Sequence, residues 1–158
     1  MIRSEREIKD LKEIEQILKD ASVGRLGTSC EGQPYVIPVN FVYHEGKILI
    51  HGARKGKKID NIASNSKVCF EVDGGVLVAR DKPCDYTMKY SSVVVLGEAK
   101  ITTDPDEMFM ALKLLMEKYS SKELSEQLTR ESVARFKNLA VIEISIRDMT
   151  GKRNIPRS

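Results

Sequence analysis

The residues with the most distinctive chemistry are Arg54, Lys55, Gly56, Lys57 and Lys58, inside the stretch IHGARKGKKIDN at 50–61. They follow an apolar run, Ile48-Leu49-Ile50, that ends at the polar His51 and the small Gly52 and Ala53. Ile59 and Ile62 then resume at helical spacing. A cation cluster between a strand end and a helix start suits an anion. The first turn of a helix carries N–H groups without intrahelical acceptors and a partial positive charge. Two lysines add charge-assisted hydrogen bonds, and a glycine lets the backbone approach closely. This is the chemistry of a terminal phosphate monoester. A solvated loop, its lysines serving solubility, fits the same residues.

Two polar residues in apolar strands carry a similar choice. His51 is either a strand-end histidine with one hydrogen bond or a polar wall beside a ligand whose phosphate reaches Lys57 and Lys58. Asn40 either closes a bulge or hydrogen-bonds a planar heterocycle. Arg25, between Val23 and Leu26, reads as an exposed strand residue. Other chemistries are missing from the sequence. There is no CxxC, HExxH, GxSxG, phosphate-loop or GxGxxG pattern, so no metal site and no catalytic side chain is expected. Any catalysis would take its hard step from a cofactor.

The composition limits the partners. The chain has 158 residues, 41% apolar and 31% charged, with a net charge of +3. One globular domain over 1–158 accommodates this length. The cations are local and the remaining charge is nearly balanced. Strong electrostatic binding to a nucleic acid engages on the order of 6–10 phosphates, so no nucleic-acid partner is expected. No apolar run approaches the ~20 residues of a membrane span, and no signal-peptide pattern opens the chain. Cys30, Cys69 and Cys84 are widely spaced and odd in number, which suits reduced thiols in a cytoplasmic protein.

The elements that would position the cluster are mostly strands. A helix is predicted through Ile8, Leu11, Ile14, Ile17, Leu18 and Ala21, with both Ser4…Glu7 and Asp10…Glu13 matching a capping box. VGRLGTS, PYVIPVNFVY and ILIHGA read as strands joined by the turns CEGQ and HEGK, an antiparallel hairpin pattern. Pro38 marks an edge, a bulge or an opening in the pairing. KKIDNIASN is a short helix, VCFEV a strand with GGVLVA as its possible hairpin partner, and 80–89 a loop. SSVVVLGEAKIT is a long strand in which Gly97 signals a bulge or a close backbone approach. A helix capped by Asp104 follows, then a weaker helical stretch over 121–137. The strand LAVIEISIRDM and a polar tail, TGKRNIPRS, complete the chain. Hairpin order without alternating long helices argues for a small antiparallel barrel.

The blocks GRLGT, EGQPYVIPVNFVYHEGKILIHGARKGKKIDNIASNSKVCFEV, YSSVVVLGEA and TGK, in this order over about 5–153, resemble the pyridoxamine 5'-phosphate oxidase-related split-barrel flavoproteins. They are most similar to the 5-nitroimidazole-resistance (Nim) branch. The resemblance implies a mainly β, six-stranded antiparallel split barrel with flanking helices, and a homodimer with FMN in the cleft between subunits. It places the FMN phosphate at Lys57 and Lys58, with Gly56 where relatives often carry serine. It sets His51, Gly52 and Ala53 beside the flavin and runs Pro38, Val39, Asn40 and Phe41 along its ring. Tyr90, Ser91 and Ser92 would open the strand that helps form the pocket or the dimer contact. The implied activity is electron transfer from a reduced donor such as NAD(P)H, through FMN, to a small acceptor such as a nitroaromatic. A flavin carrier or sensor without turnover is the alternative. Only Lys152 and Arg153 could stand for the basic C-terminal substrate site of the oxidases, so vitamin B6 oxidation is not expected.

Overall fold

The computed structural model describes residues 3–78 and 86–155. After a single 3-10 turn at Ser4–Arg6, eight strands form one sheet: β1 (Glu7–Ile8), β2 (Gly24–Cys30), β3 (Gln33–Val39), β4 (Val42–His44), β5 (Lys47–Ala53), β6 (Lys67–Val78), β7 (Thr87–Thr102) and β8 (Leu139–Asn154). The helices are α1 (Leu11–Asp20), α2 (Lys57–Ser64), α3 (Pro105–Tyr119), α4 (Lys122–Glu126) and α5 (Arg130–Ala134). None is long and apolar enough to cross a membrane. The strands run in the order β3-β2-β6-β7-β8-β5-β4, with β1 paired to β8. Every ladder is antiparallel. β1 and β4 have only two and three residues, so six longer strands make the barrel, as the resemblance implies.

The first and last strands of that order, β3 and β4, are consecutive in the chain and joined only by Asn40 and Phe41. The barrel therefore closes at this corner through the chain itself, and the ladder is split there. The sequence predicts one strand through PYVIPVNFVY; the structure bends it. The Tyr119 hydroxyl stands in for the missing ladder partners: it accepts from the Phe41 N–H at 2.9 Å, and its one proton serves the carbonyl of Ser22 (2.8 Å) or Phe41 (2.9 Å). Pro38 lies on the edge strand, where a missing N–H costs nothing.

Alternation along the strands builds two cores. Ile48, Ile50, Ile142 and Ile144 point inward with Phe41, Phe70, Val93 and Val95, and Ile14 and Leu18 of α1 join them. Leu49 and Val141, on the opposite faces of β5 and β8, pack against Met108, Ala111 and Leu112 of α3. The turns at Glu31-Gly32 and Glu45-Gly46 each place two residues at positive φ, the hairpin geometry that follows the strand twist.

Several expectations change. Asp10 caps α1, accepting from the Lys12 N–H at 2.9 Å, while Glu7 lies in β1; Glu13 does not complete a capping box but pairs with Arg153. GGVLVA does not fold back on VCFEV: β6 runs straight through Gly74 and Gly75, which pair with Ser91 and Tyr90. Glycine suits this passage because a Cβ on Gly75 would come 3.0 Å from the Lys89 carbonyl oxygen and from Tyr90 Cβ. The loop expected at 80–89 lies largely outside the described residues, and its last part, Thr87–Lys89, is already β7. Cys84 lies outside them as well, while Cys30 and Cys69 are free thiols. The first part of the polar tail is strand: β8 continues to Asn154, held by Ser91, Ser92 and Val94 of β7, and residues 156–158 lie outside the described residues. The stretch 121–137 holds two short helices rather than one.

Candidate functional site

The cation cluster opens α2. Gly56 caps the helix at φ 121 and ψ 168, a region essentially confined to glycine. Its carbonyl accepts from the N–H groups of Ile59 (2.8 Å) and Asp60 (3.1 Å), which leaves the Lys57 and Lys58 N–H groups without intrahelical acceptors. Buried contacts fix the helix against β2. Ile62 enters the core, Asn61 Nδ2 donates to Thr28 Oγ1 at 3.0 Å, and Asn65 Nδ2 donates to Ser29 Oγ at 3.1 Å. The two lysines diverge from the helix start. Lys57 Nζ lies 4.9 Å from the centre of the Tyr35 ring. Lys58 Nζ turns back onto β5, where a Cβ on Gly52 would come within 2.6 Å of it. Gly52 therefore makes the room that Lys58 occupies. Among the described residues neither lysine pairs with a carboxylate within 4.0 Å. Two unpaired ammonium groups, two free N–H groups and a glycine cradle fit a phosphate monoester.

One step back along β5 stands His51, and Asn40 belongs to the split corner itself. Both line a recess of about 300 Å³ with Leu112, Leu115, Met116 and Tyr119 of α3. Partial burial, and secondarily the charge on Lys58, holds the His51 imidazole below its ordinary pKa, which favours the neutral ring at pH 7. Asn40 Nδ2 donates a long hydrogen bond of 3.4 Å to the Ser22 carbonyl, so most of its amide capacity is free. Pro38 and Val39 lie on β3 opposite Arg25 and Gly24, and Val39 packs partly against the barrel core. Phe41 is fully buried against Phe70, ring centres 4.7 Å apart, with its backbone engaged by Tyr119. Ala53 ends β5 opposite Leu139.

Tyr90 and Ser91 line a different depression, with Gly74, Gly75, Arg153 and Asn154. Ser92 pairs with Lys152, whereas His51 pairs with Val141, eleven positions back along β8. At ~3.3 Å per residue that is roughly 35 Å of strand. Lys152 and Arg153 both belong to β8, and Arg153 is ion-paired to Glu13 of α1. Arg25 is tied across the sheet to Glu71 (2.8 Å) and Asp73 (2.5 Å), an exposed strand residue as its position suggests.

Two residues at the split are not singled out by sequence reasoning, because both sit inside an ordinary helical stripe. One is Tyr119. The other is its neighbour Lys118, whose ammonium lies 3.9 Å from the centre of the Phe41 ring, shielded from solvent and without a hydrogen-bond partner. Burial lowers its pKa from 10.5 to about 8, against the opposing pull of Asp20. Below pH 8 folded and unfolded chains both carry the charge, and the folded state bears the full penalty. As pH rises from 8 to 10.5 the folded chain releases its proton first, and the penalty fades. The ring attraction returns part of this cost, ~0.5–1 kcal/mol. Lys118→Met is therefore expected to raise stability at pH 7 by about 1 kcal/mol and by less at pH 10. Denaturant titration at the two pH values measures this; an equal gain at both would contradict it.

An antiparallel barrel split at one corner, with a cationic helix start in the same domain, defines a split-barrel protein. The family model of pyridoxamine 5'-phosphate oxidase matches residues 10–153, and the chain belongs to that family. Within it, the chain is 30% identical to a candidate 5-nitroimidazole antibiotic resistance protein from Bacteroides thetaiotaomicron. That match covers 92% of this chain and 85% of the other, with a TM-score of 0.77, and agrees with placement near the nitroimidazole-resistance branch. The fold is shared with the FAD and heme binding protein from Mycobacterium smegmatis (TM-score 0.80, 17% identity, 97% and 76% covered). It is shared too with the flavocytochrome Anf3 from Azotobacter vinelandii (TM-score 0.78, 19% identity, 95% and 70% covered). No protein of curated function matches the chain significantly.

Proposed function

We propose that the chain is a cytoplasmic, single-domain FMN-dependent oxidoreductase that passes electrons from a reduced donor such as NAD(P)H to a small acceptor, a nitroaromatic among them. The observation that carries this reading is the convergence of Lys58 on Gly52 beside the free N–H groups of α2. It supports a phosphate site at the helix start, where the resemblance implies one. Lys57 and Lys58 hold the phosphate by charge, and Gly56 lets the backbone reach it. His51, Gly52 and Ala53 flank the cofactor. Pro38, Val39 and Asn40 run along its ring, on a path fixed by the burial of Phe41. Neutral His51 and the free amide of Asn40 offer hydrogen bonds to a planar heterocycle without adding charge. FMN, when bound, supplies the two-electron chemistry; the protein supplies orientation and polarity.

The separation of Tyr90, Ser91 and Ser92 from the phosphate site along β8 supports a homodimer in which a second copy brings them to the cleft. The exposed apolar residues Val76, Leu77, Met88, Val94 and Leu96 on β6 and β7, with Ile155 just past β8, support the same arrangement. The test of function is anaerobic reduction of the FMN-loaded protein by NADH or NADPH, followed by a nitroimidazole. Bleaching of the flavin absorbance and its return on adding the acceptor is the expected result. Reduction without return to any acceptor points to a carrier or sensor, and absence of flavin binding overturns the reading.

A further inference from the structure

The cations that precede α2 are not a free loop. The Arg54 N–H donates to the Asn138 carbonyl at 3.0 Å, and Arg54 Nη1 donates to the Lys137 carbonyl at 3.0 Å. These bonds fasten the end of β5 to the approach to β8. They also form an open recess of about 670 Å³ lined by Ala53, Arg54, Lys55, Lys137 and Asn138. Three of the five lining residues are cations and none is an acid. Among the described residues, none of the three pairs with a carboxylate within 4.0 Å. One guanidinium hydrogen bond is spent on the Lys137 carbonyl, which leaves the rest of the fork directed by that anchor and free to bind an anion.

The recess adjoins the phosphate site. Arg54 and Lys57 are three residues apart, a span of at most ~10 Å between Cα atoms. A single phosphate monoester would use only the helix start and leave these cations idle. A second phosphate joined to the first, or brought close to it, would use them. The volume beyond is of the size that takes a nucleoside, since small-molecule sites run to several hundred Å³. We infer that the Arg54–Lys55–Lys137 recess binds the second phosphate and attached nucleoside of a dinucleotide, adjacent to the phosphate held at Lys57 and Lys58. This rests on the proposed FMN site. Two sources share the chemistry: FAD, whose diphosphate continues directly from the flavin phosphate, and NADPH, arriving as donor on the FMN-loaded protein.

The test compares the wild type with the Lys55→Gln/Lys137→Gln double variant; the two lysine side chains make no hydrogen bond among the described residues, and Arg54 stays anchored on the Lys137 carbonyl. FMN and FAD are titrated into the protein, and NADPH into the FMN-loaded protein. The variant is expected to bind FMN within about twofold of wild type and one dinucleotide about tenfold more weakly. Loss confined to FAD assigns the recess to the cofactor; loss confined to NADPH assigns it to the donor. FMN binding with both dinucleotides unaffected by the variant overturns the recess and leaves the FMN site standing. A wild type that takes up no flavin overturns both.

Discussion

Lys58→Ala is expected to weaken FMN retention by about ten- to a hundredfold, while Lys55→Ala changes it by less than about twofold. The figure follows from one charge-assisted hydrogen bond, worth about 1.5–3 kcal/mol, at tenfold in affinity per ~1.4 kcal/mol. The contrast follows from position. Lys58 sits in the first turn of α2 with its ammonium folded over Gly52, beside the free N–H groups of the helix. Lys55 is exposed in the recess beyond the end of β5. Both variants keep Ile59 and Ile62 packed in the core, so α2 itself remains in place. Flavin fluorescence titration measures the two affinities. Equal losses in both variants would mean diffuse charge attraction rather than a grip.

A large stability effect is expected at Gly97, where the obstacle is backbone. β7 and β8 slip register between Leu96 and Gly97, so that Leu96 pairs with Asp148 and Gly97 with Ile146. At this bulge a Cβ on residue 97 would lie 2.6 Å from the Ser145 carbonyl oxygen and 2.7 Å from Ile144 Cγ2. The oxygen belongs to a paired backbone, and Ile144 is fully buried in the core. Neither can move without opening the ladder between the two longest strands. Gly97→Ala should therefore cost about 3 kcal/mol or more, and lower the melting temperature by roughly 6–12 °C. Thermal unfolding of the variant checks this; an unchanged midpoint would mean that the bulge relaxes freely.

Gly97 also shows what the sequence reveals and why. A glycine inside a strongly β-branched run, VVVLGEA, has no turn neighbours, so a bulge or a close approach is the remaining reason for it, and both are present. The Glu-Gly turns were equally legible, because the pair stands between alternating strands and the geometry needs positive φ. Gly74-Gly75 carries the same local signal as a hairpin turn, yet long-range pairing with Tyr90 and Ser91 draws β6 straight through it. Nothing local to residues 74–75 distinguishes the two outcomes. The break at Asn40–Phe41 is half legible: Pro38 marks an edge or an opening, but the tyrosine that replaces the ladder partners lies 78 residues away.

The same division holds for the site. The helix start at Gly56 and the strand end at His51 are local features and were readable from spacing. The folding of Lys58 onto Gly52, the placement of His51 and Asn40 on one recess and the anchoring of Arg54 on Lys137 and Asn138 depend on tertiary contacts. Arg54 and Lys55 read as solvated loop residues in the sequence because their cationic partner Lys137 arrives from the far end of the chain. Tyr90, Ser91 and Ser92 come from resemblance alone, and their depression is separate within one chain.

The central claim is that α2, Gly52 and Lys58 hold the phosphate of FMN. Its most direct test is the affinity of the wild-type protein for FMN against riboflavin, which shares the ring and ribityl chain and lacks the phosphate. Two charge-assisted contacts and a helix start predict that FMN binds at least about a hundredfold more tightly. Equal binding of the two, or binding of neither, would contradict the account.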